Sequence, residues 1–184
     1  MLPAMTDPIA AAQALATRAH AGQVRDGGAP YISHPARVAA RLARRFPEDA
    51  ALVAAGWCHD VLEDCPAITA AGLIEAVGAD AAALVREVTN PSASRRDLPR
   101  AERKAMDRAH LAHISRRARC LKLVDRADNL REGMATAERA WLARYAGESR
   151  LLAAALAGTD AELEAELAAA IAAAAAAAGE LAPT

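Results

Sequence analysis

Apolar residues recur every three or four positions through most of the chain, and the period-two alternation of a strand does not appear. Ile9, Ala12, Leu15, Ala16 and Ala19 share one helical face, with Asp7 and Pro8 as cap and first turn and Gly22 as the stop. From Gly22 to Ser33 the chain holds Gly27, Gly28 and Pro30, too many breakers for regular structure. Ser33 restarts a helix that runs to about Phe46. Pro47 opens the next, which carries Ala50 to Glu63 and ends near Cys65, because Pro66 disfavours helix in the residue before it. Thr69 and Asp80 read as caps of two short helices ending near Gly78 and Thr89, and 90–98 as a polar loop. Helices are expected from Pro99 to Ile114 and from Ser115 to Arg131. Two more start at Thr136 and Thr159, the last with Glu162 closing a capping box.

Composition sharpens this picture. Of 184 residues, 54 are alanine, with one Phe, two Trp and two Tyr, so the chain is one ordinary domain, or two small ones, of helix formers with few β-branched or aromatic anchors. The longest stretch near the end without a charged or turn residue, Leu167 to Ala178, falls short of the roughly 20 apolar residues of a membrane span. Pro3, Asp7 and Pro8 interrupt any secretory leader, so a cytoplasmic protein with no membrane partner is expected. Cys58, Cys65 and Cys120 form no CxxC pair, which argues against a disulfide framework or zinc ribbon, and Cys58 and Cys65 read as small packing groups. The net charge of −1 hides a bias: Arg95 to Arg131 carries twelve Lys or Arg against five Asp or Glu. No aromatic residue is interleaved there to stack bases, so nucleic acid is not the expected partner. A small anion fits the bias, and so does a pair of helices with solvated basic faces.

The densest chemistry lies in His59-Asp60-Val61-Leu62-Glu63-Asp64, four ionisable groups beside an apolar run. At about 100° per residue all four share one helical face. Unpaired buried carboxylates are costly, so that face is wet or holds a cation, and imidazole with carboxylate suits manganese, iron or zinc. Lys122, Asp125 and Asn129, spaced i, i+3 and i+7, put a cation, a carboxylate and an amide on another face. His34 stands at a helix start between Ser33 and Pro35. His34, His59, Asp60 and Asp125 together could close round one metal and leave positions open for water. Taken singly, His34 reads as a surface or packing histidine and Lys122–Asp125 as a surface ion pair; His20, His110 and His113 are unassigned.

Over roughly residues 8 to 150 the chain resembles the HD-superfamily phosphohydrolases, in particular the hydrolase domain of RelA/SpoT-type alarmone enzymes and their small stand-alone relatives. The resemblance rests on Ala19-His20-Ala21-Gly22-Gln23-Val24-Arg25, on Pro30-Tyr31-Ile32-Ser33-His34-Pro35, on the HDxxED run from His59, on Arg103-Lys104, and on Lys122 to Arg131. It implies an all-α HD-domain bundle of about 8 to 10 helices, spanning 6–150, with 151–184 as an Ala-rich helical extension. That extension reads as a helix on the domain, a dimer contact or a frayed end; the oligomeric state stays open. The resemblance further implies that His34, His59, Asp60 and Asp125 bind one manganese ion, and that Glu63 and Asp64 are the catalytic carboxylates. Arg25 would lie against a guanine ring, Tyr31 would shape the pocket, Lys122 and Asn129 would line it, and Arg103 and Lys104 would stand near phosphates. The implied reaction removes the 3′-pyrophosphate of ppGpp or pppGpp to give GDP or GTP and pyrophosphate. With no synthetase region following, degradation alone is expected. The chain departs from many relatives at Asp26, where they carry lysine, and at Cys65 and Trp57. Asp26 motivates the alternative: an HD-type phosphohydrolase of another nucleotide, an adenine alarmone or NADPH.

Overall fold

The computed structural model describes residues 7–179, so residue 6 and residues 180–184 of the two expected segments lie outside it. Among the described residues it is all-α, with ten helices, one 3-10 turn, and a single isolated antiparallel bridge between Val24 and Pro30. The helices are α1 (Pro8–Ala19), α2 (Ser33–Arg45), α3 (Ala50–Cys58), α4 (Val61–Asp64), α5 (Ala70–Val77), α6 (Ala79–Val88), α7 (Arg100–Leu111), α8 (Arg116–Thr136), α9 (Arg139–Ala155) and α10 (Ala161–Ala178), with the 3-10 turn at Pro91–Ser94. They fall into two compact units. One gathers the described residues up to Val24 with Pro30–Thr89; the other gathers Arg25–Ala29 with the described residues from Asn90 onward.

In the first unit α3 is the centre, packed against α1, α2 and α6, while α5 lies against α1 and α6. Leu52, Val53, Ala54, Ala55 and Cys58 of α3 are all buried, which accounts for its near absence of polar residues. Asp7 and Asp49 cap α1 and α3 by accepting the amides of Ile9 and Leu52, each at 3.0 Å. The continuous helix expected to carry Ala50 to Glu63 is instead broken between Cys58 and Val61. The cause is local. His59 Nδ1 lies 2.9 Å from the Gly56 carbonyl, the acceptor that the Asp60 amide would need to continue the helix. His59 and Asp60 keep nearly helical dihedrals (φ −60°, ψ −28° and φ −98°, ψ −9°), so the His59-to-Asp64 run turns a corner without unravelling. Gly78, at φ +85°, starts α6, and Asp80 lies in its first turn instead of capping it.

In the second unit α8 is packed by α9 and α10, and α7 meets α9 and the 3-10 turn. Ser115 caps α8, accepting the Ala118 amide at 3.2 Å, and α8 continues past Arg131 to Thr136. Thr136 therefore ends α8 instead of starting the next helix; its hydroxyl donates back to the Glu132 carbonyl at 3.2 Å. The cap of α10 is likewise displaced by one residue. Asp160 accepts the Leu163 amide at 3.2 Å and Glu164, not Glu162, accepts the Asp160 amide at 2.9 Å. Thr159 spends its hydroxyl on the Leu156 carbonyl at 2.6 Å. The Ala-rich segment packs: Leu163, Leu167, Ala170, Ile171, Ala174 and Ala175 of α10 are buried, and alanine lets its backbone approach α8 and α9. No helix among the described residues is long and apolar enough to cross a membrane.

Candidate functional site

The break between α3 and α4 is where the first unit concentrates its chemistry. His34, in the first turn of α2, and His59 are both fully enclosed, with exposures of 0 % and 2 %. Their Nε2 atoms stand 3.1 Å apart, and Asp60 Oδ2 lies 3.2 Å from His59 Nε2 and 3.8 Å from His34 Nε2. The Nδ1–H of His59 donates to Gly56, so its Nε2 carries the lone pair. A nitrogen lone pair, a second imidazole and a carboxylate oxygen thus converge, the two rings buried and the carboxylate half-buried. That is the donor set of a divalent metal site, with the backbone carbonyl fixing the ring as metal-ligating histidines require. These three residues fit a divalent cation.

Beside them, the Tyr31 hydroxyl lies 2.8 Å from Asp60 Oδ2 and 2.8 Å from Asp64 Oδ2. Having one proton, it donates to one carboxylate at a time and links the cluster to Asp64, the second acid of the ED pair. Burial, reinforced by the two carboxylates, pushes the phenol far above its ordinary range, so it stays a donor. The face of Tyr31 stacks on His20, with ring centroids 4.5 Å apart, and His20 Nδ1 donates to Gln23 Oε1 at 2.8 Å. His20, unassigned from sequence, is therefore the support of Tyr31. Only its spacing within the first motif hinted at this. Glu63, half-buried, and Asp64, exposed, sit on α4 one turn beyond His59 and Asp60. Cys65 and Cys58 are buried, as expected of packing groups; burial pushes the Cys65 thiol up, and that of Cys58 up to about 12.

The second unit gathers the remaining candidates along α8. Lys122 Nζ lies 3.3 Å from Asp125 Oδ2, and Asn129 Nδ2 donates to Asp125 Oδ1 at 2.6 Å. Both Lys122 and Asp125 are buried, so this is not the surface ion pair that the isolated spacing allows. Arg25, from the 25–29 loop, donates to Asn129 Oδ1 at 2.7 Å and through Nε to Glu132 Oε2 at 3.0 Å. No sequence signal marks Glu132, which lies just beyond the Lys122 to Arg131 motif and pairs with a residue 107 positions earlier. Arg103 and Lys104 lie on α7, where Lys104 pairs with Asp107 at 3.2 Å.

The profile of the HD domain matches residues 12–161, most of the chain. The chain belongs to the HD-domain family. Curated relatives include the zebrafish (Danio rerio) guanosine-3′,5′-bis(diphosphate) 3′-pyrophosphohydrolase MESH1, 34 % identical over 122 residues, which cover 66 % of this chain and 65 % of that protein. They also include the Escherichia coli K12 bifunctional (p)ppGpp synthase/hydrolase SpoT, 36 % identical over 119 residues, 64 % of this chain but 17 % of that protein. The matched stretch thus spans somewhat under two thirds of MESH1 and a small part of SpoT. A solved structure described as a metazoan ortholog of SpoT that hydrolyzes ppGpp superposes with a TM-score of 0.79 at 28 % identity, covering 95 % of this chain and 97 % of that one.

Proposed function

We propose that this HD domain is a metal-dependent pyrophosphohydrolase that removes the 3′-pyrophosphate of ppGpp or pppGpp to give GDP or GTP and pyrophosphate. The observation that carries this reading is the convergence of His34, His59 and Asp60 donor atoms beside an acid pair. Its support is the activity named for similar proteins. Asp125 is read as the fourth ligand and manganese as the metal. When bound, a divalent ion supplies Lewis acidity toward a phosphoryl oxygen and lowers the pKa of water. Glu63 and Asp64 take and return the proton of the attacking water, and Tyr31 orients Asp64 by its hydroxyl. Lys122 and Asn129 line the nucleotide site, Arg103 and Lys104 meet phosphate charge, and Arg25 offers its guanidinium plane to the base. The working domain is read as 6–150, with 151–184 as its helical extension, in a cytoplasmic enzyme whose partner is the nucleotide.

Asp26 supports a second reading, because it sets an exposed anion, in place of the lysine of many relatives, beside the Arg25 that is read as facing the base. The experiment that tests both is turnover of ppGpp, an adenine alarmone and NADPH by manganese-loaded protein, with pyrophosphate and phosphate release measured. Pyrophosphate release from ppGpp in clear preference is expected. A folded, metal-loaded sample inert toward ppGpp but active on an adenine substrate transfers the assignment to the second reading; inertness toward all three removes both.

A further inference from the structure

Arg126, on α8, is a buried cation whose surroundings do not match its charge. It is 9 % exposed, its Nη1 reaches Ser149 Oγ only at 3.5 Å, and its Nε is enclosed without a hydrogen-bond partner. Its guanidinium lies over the Tyr145 ring, 4.5 Å from the centroid, which offsets part of the desolvation. A guanidinium carries five N–H donors, and here one makes a single long hydrogen bond while the enclosed Nε–H makes none. Buried charges in native proteins are paired, so a guanidinium in this condition calls for an anion.

The place for that anion is next to it. Arg126 lines a small, partly closed cavity in the second unit together with Asn90, Lys104, Arg108 and Lys122. The two carboxylates on its wall are already engaged. Asp107 pairs with Lys104 at 3.2 Å and accepts the Ser92 amide at 3.2 Å; Glu148 accepts both nitrogens of Arg100 at 2.8 and 2.9 Å. Lys104 and Lys122 are likewise engaged, by Asp107 and by Asp125 at 3.3 Å, so the positive excess of the cavity rests on Arg108 and Arg126. Its volume of about 20 Å³ admits an end group of a few atoms and excludes a nucleoside.

We propose that this cavity is an anion site that takes the terminal phosphoryl group of a diphosphate, with the unmatched guanidinium of Arg126 as its recognition group. The choice of a diphosphate rests on the pyrophosphohydrolase reading; the need for an anion does not. The diphosphate has two sources, free inorganic pyrophosphate and the 5′-diphosphate of a guanine nucleotide, and the site chemistry is the same for both.

Isothermal titration of the metal-free full chain in EDTA, with inorganic pyrophosphate and with GDP in separate runs, tests the proposal. Arg126→Met should weaken the bound diphosphate at least tenfold, and Arg126→Lys less, because the charge remains while the planar fork is lost. Tighter GDP assigns the site to the nucleotide's own diphosphate, and tighter pyrophosphate to the free product. Where circular dichroism shows Arg126→Met unfolded, Lys104→Met on partly exposed α7 carries the test, with weakening of about fivefold expected from one lost phosphate contact. Binding of neither ligand by the wild type, or affinities unchanged within twofold in a folded variant, overturns the site. If ppGpp is hydrolysed while the site fails, the proposed function stands without it. If diphosphate binding depends on Arg126 in a chain that never turns over ppGpp, the site stands and the function falls.

Discussion

A histidine ring and a backbone amide compete for one carbonyl at Gly56, and the ring wins. That choice ends α3, sets the tautomer of His59 and turns its Nε2 toward His34. On this ground His59→Ala should remove metal binding together with activity, and Asp125→Ala should do the same if Asp125 is the fourth ligand. Manganese retention, measured by elemental analysis after gel filtration, is the check, and tight retention in Asp125→Ala returns that residue to a purely structural role. Tyr31 offers a finer test. Tyr31→Phe keeps the ring stacked on His20 but deletes the hydroxyl that holds Asp60 and Asp64, so kcat should fall by roughly 10- to 100-fold, the scale of a lost positioning hydrogen bond, with KM within about twofold. A raised KM with unchanged kcat would instead mark Tyr31 as a substrate contact alone. Cys58 links burial to pH. Burial pushes its folded thiol up to about 12, against roughly 8.5 in an unfolded chain. The unfolded state sheds this proton first, so the stability from the buried thiol is complete below pH 8.5 and drains away as pH rises toward 12. Between pH 8 and 10 the urea midpoint of wild type should fall more steeply than that of Cys58→Ala.

At the scale of the element, α3 shows how close packing limits the sequence. A Cβ on Gly56 would stand 3.1 Å from the Ala39 Cα and 2.8 Å from Leu42 Cδ1 of α2. Because one of these neighbours is backbone, Gly56→Ala should destabilise by about 1–3 kcal/mol, read from urea unfolding, and should disturb His59 through the carbonyl it uses. No change in midpoint would mean that α2 and α3 separate freely. The element boundaries that periodicity misplaced have a common cause. Side-chain hydrogen bonds decide ends: Thr159 turns back to Leu156 and leaves the cap to Asp160, and Thr136 closes α8 where it was expected to open α9. Which hydroxyl or carboxylate caps a helix, and which turns back on its own helix, is settled by differences of about 1 kcal/mol that spacing does not resolve.

At the scale of the whole molecule, the Ala-rich segment is part of the second unit's interior. Leu163 and Leu167 are 1 % and 0 % exposed, and α10 packs on α8, which carries Asp125, Arg126 and Asn129. Deleting the chain from Asp160 onward should therefore cost the second unit its cooperative unfolding, and Leu167→Ala alone should cost about 2–5 kcal/mol. A truncated protein that melts like the full chain would show that α10 contributes nothing to that interior. The 25–29 loop is tied to the same unit: Arg25 holds Asn129 and Glu132, and Gly27 sits where a Cβ would come within 2.6 Å of Thr136 Cγ2.

By itself the sequence determined the all-helical class, the two cysteines as packing groups, and a candidate metal and acid set written in HDxxED. Helix propensity, apolar period and local clustering of ionisable groups are properties of neighbouring residues, so they can be read along one strand of text. Tertiary structure alone decided that His34 meets His59 nitrogen to nitrogen, that His20 props Tyr31, that Arg25 is held by Glu132, and that Arg126 is buried without a matching charge. Each depends on residues distant in sequence and on the desolvation that packing imposes, and neither distance nor burial is encoded in the spacing of a motif.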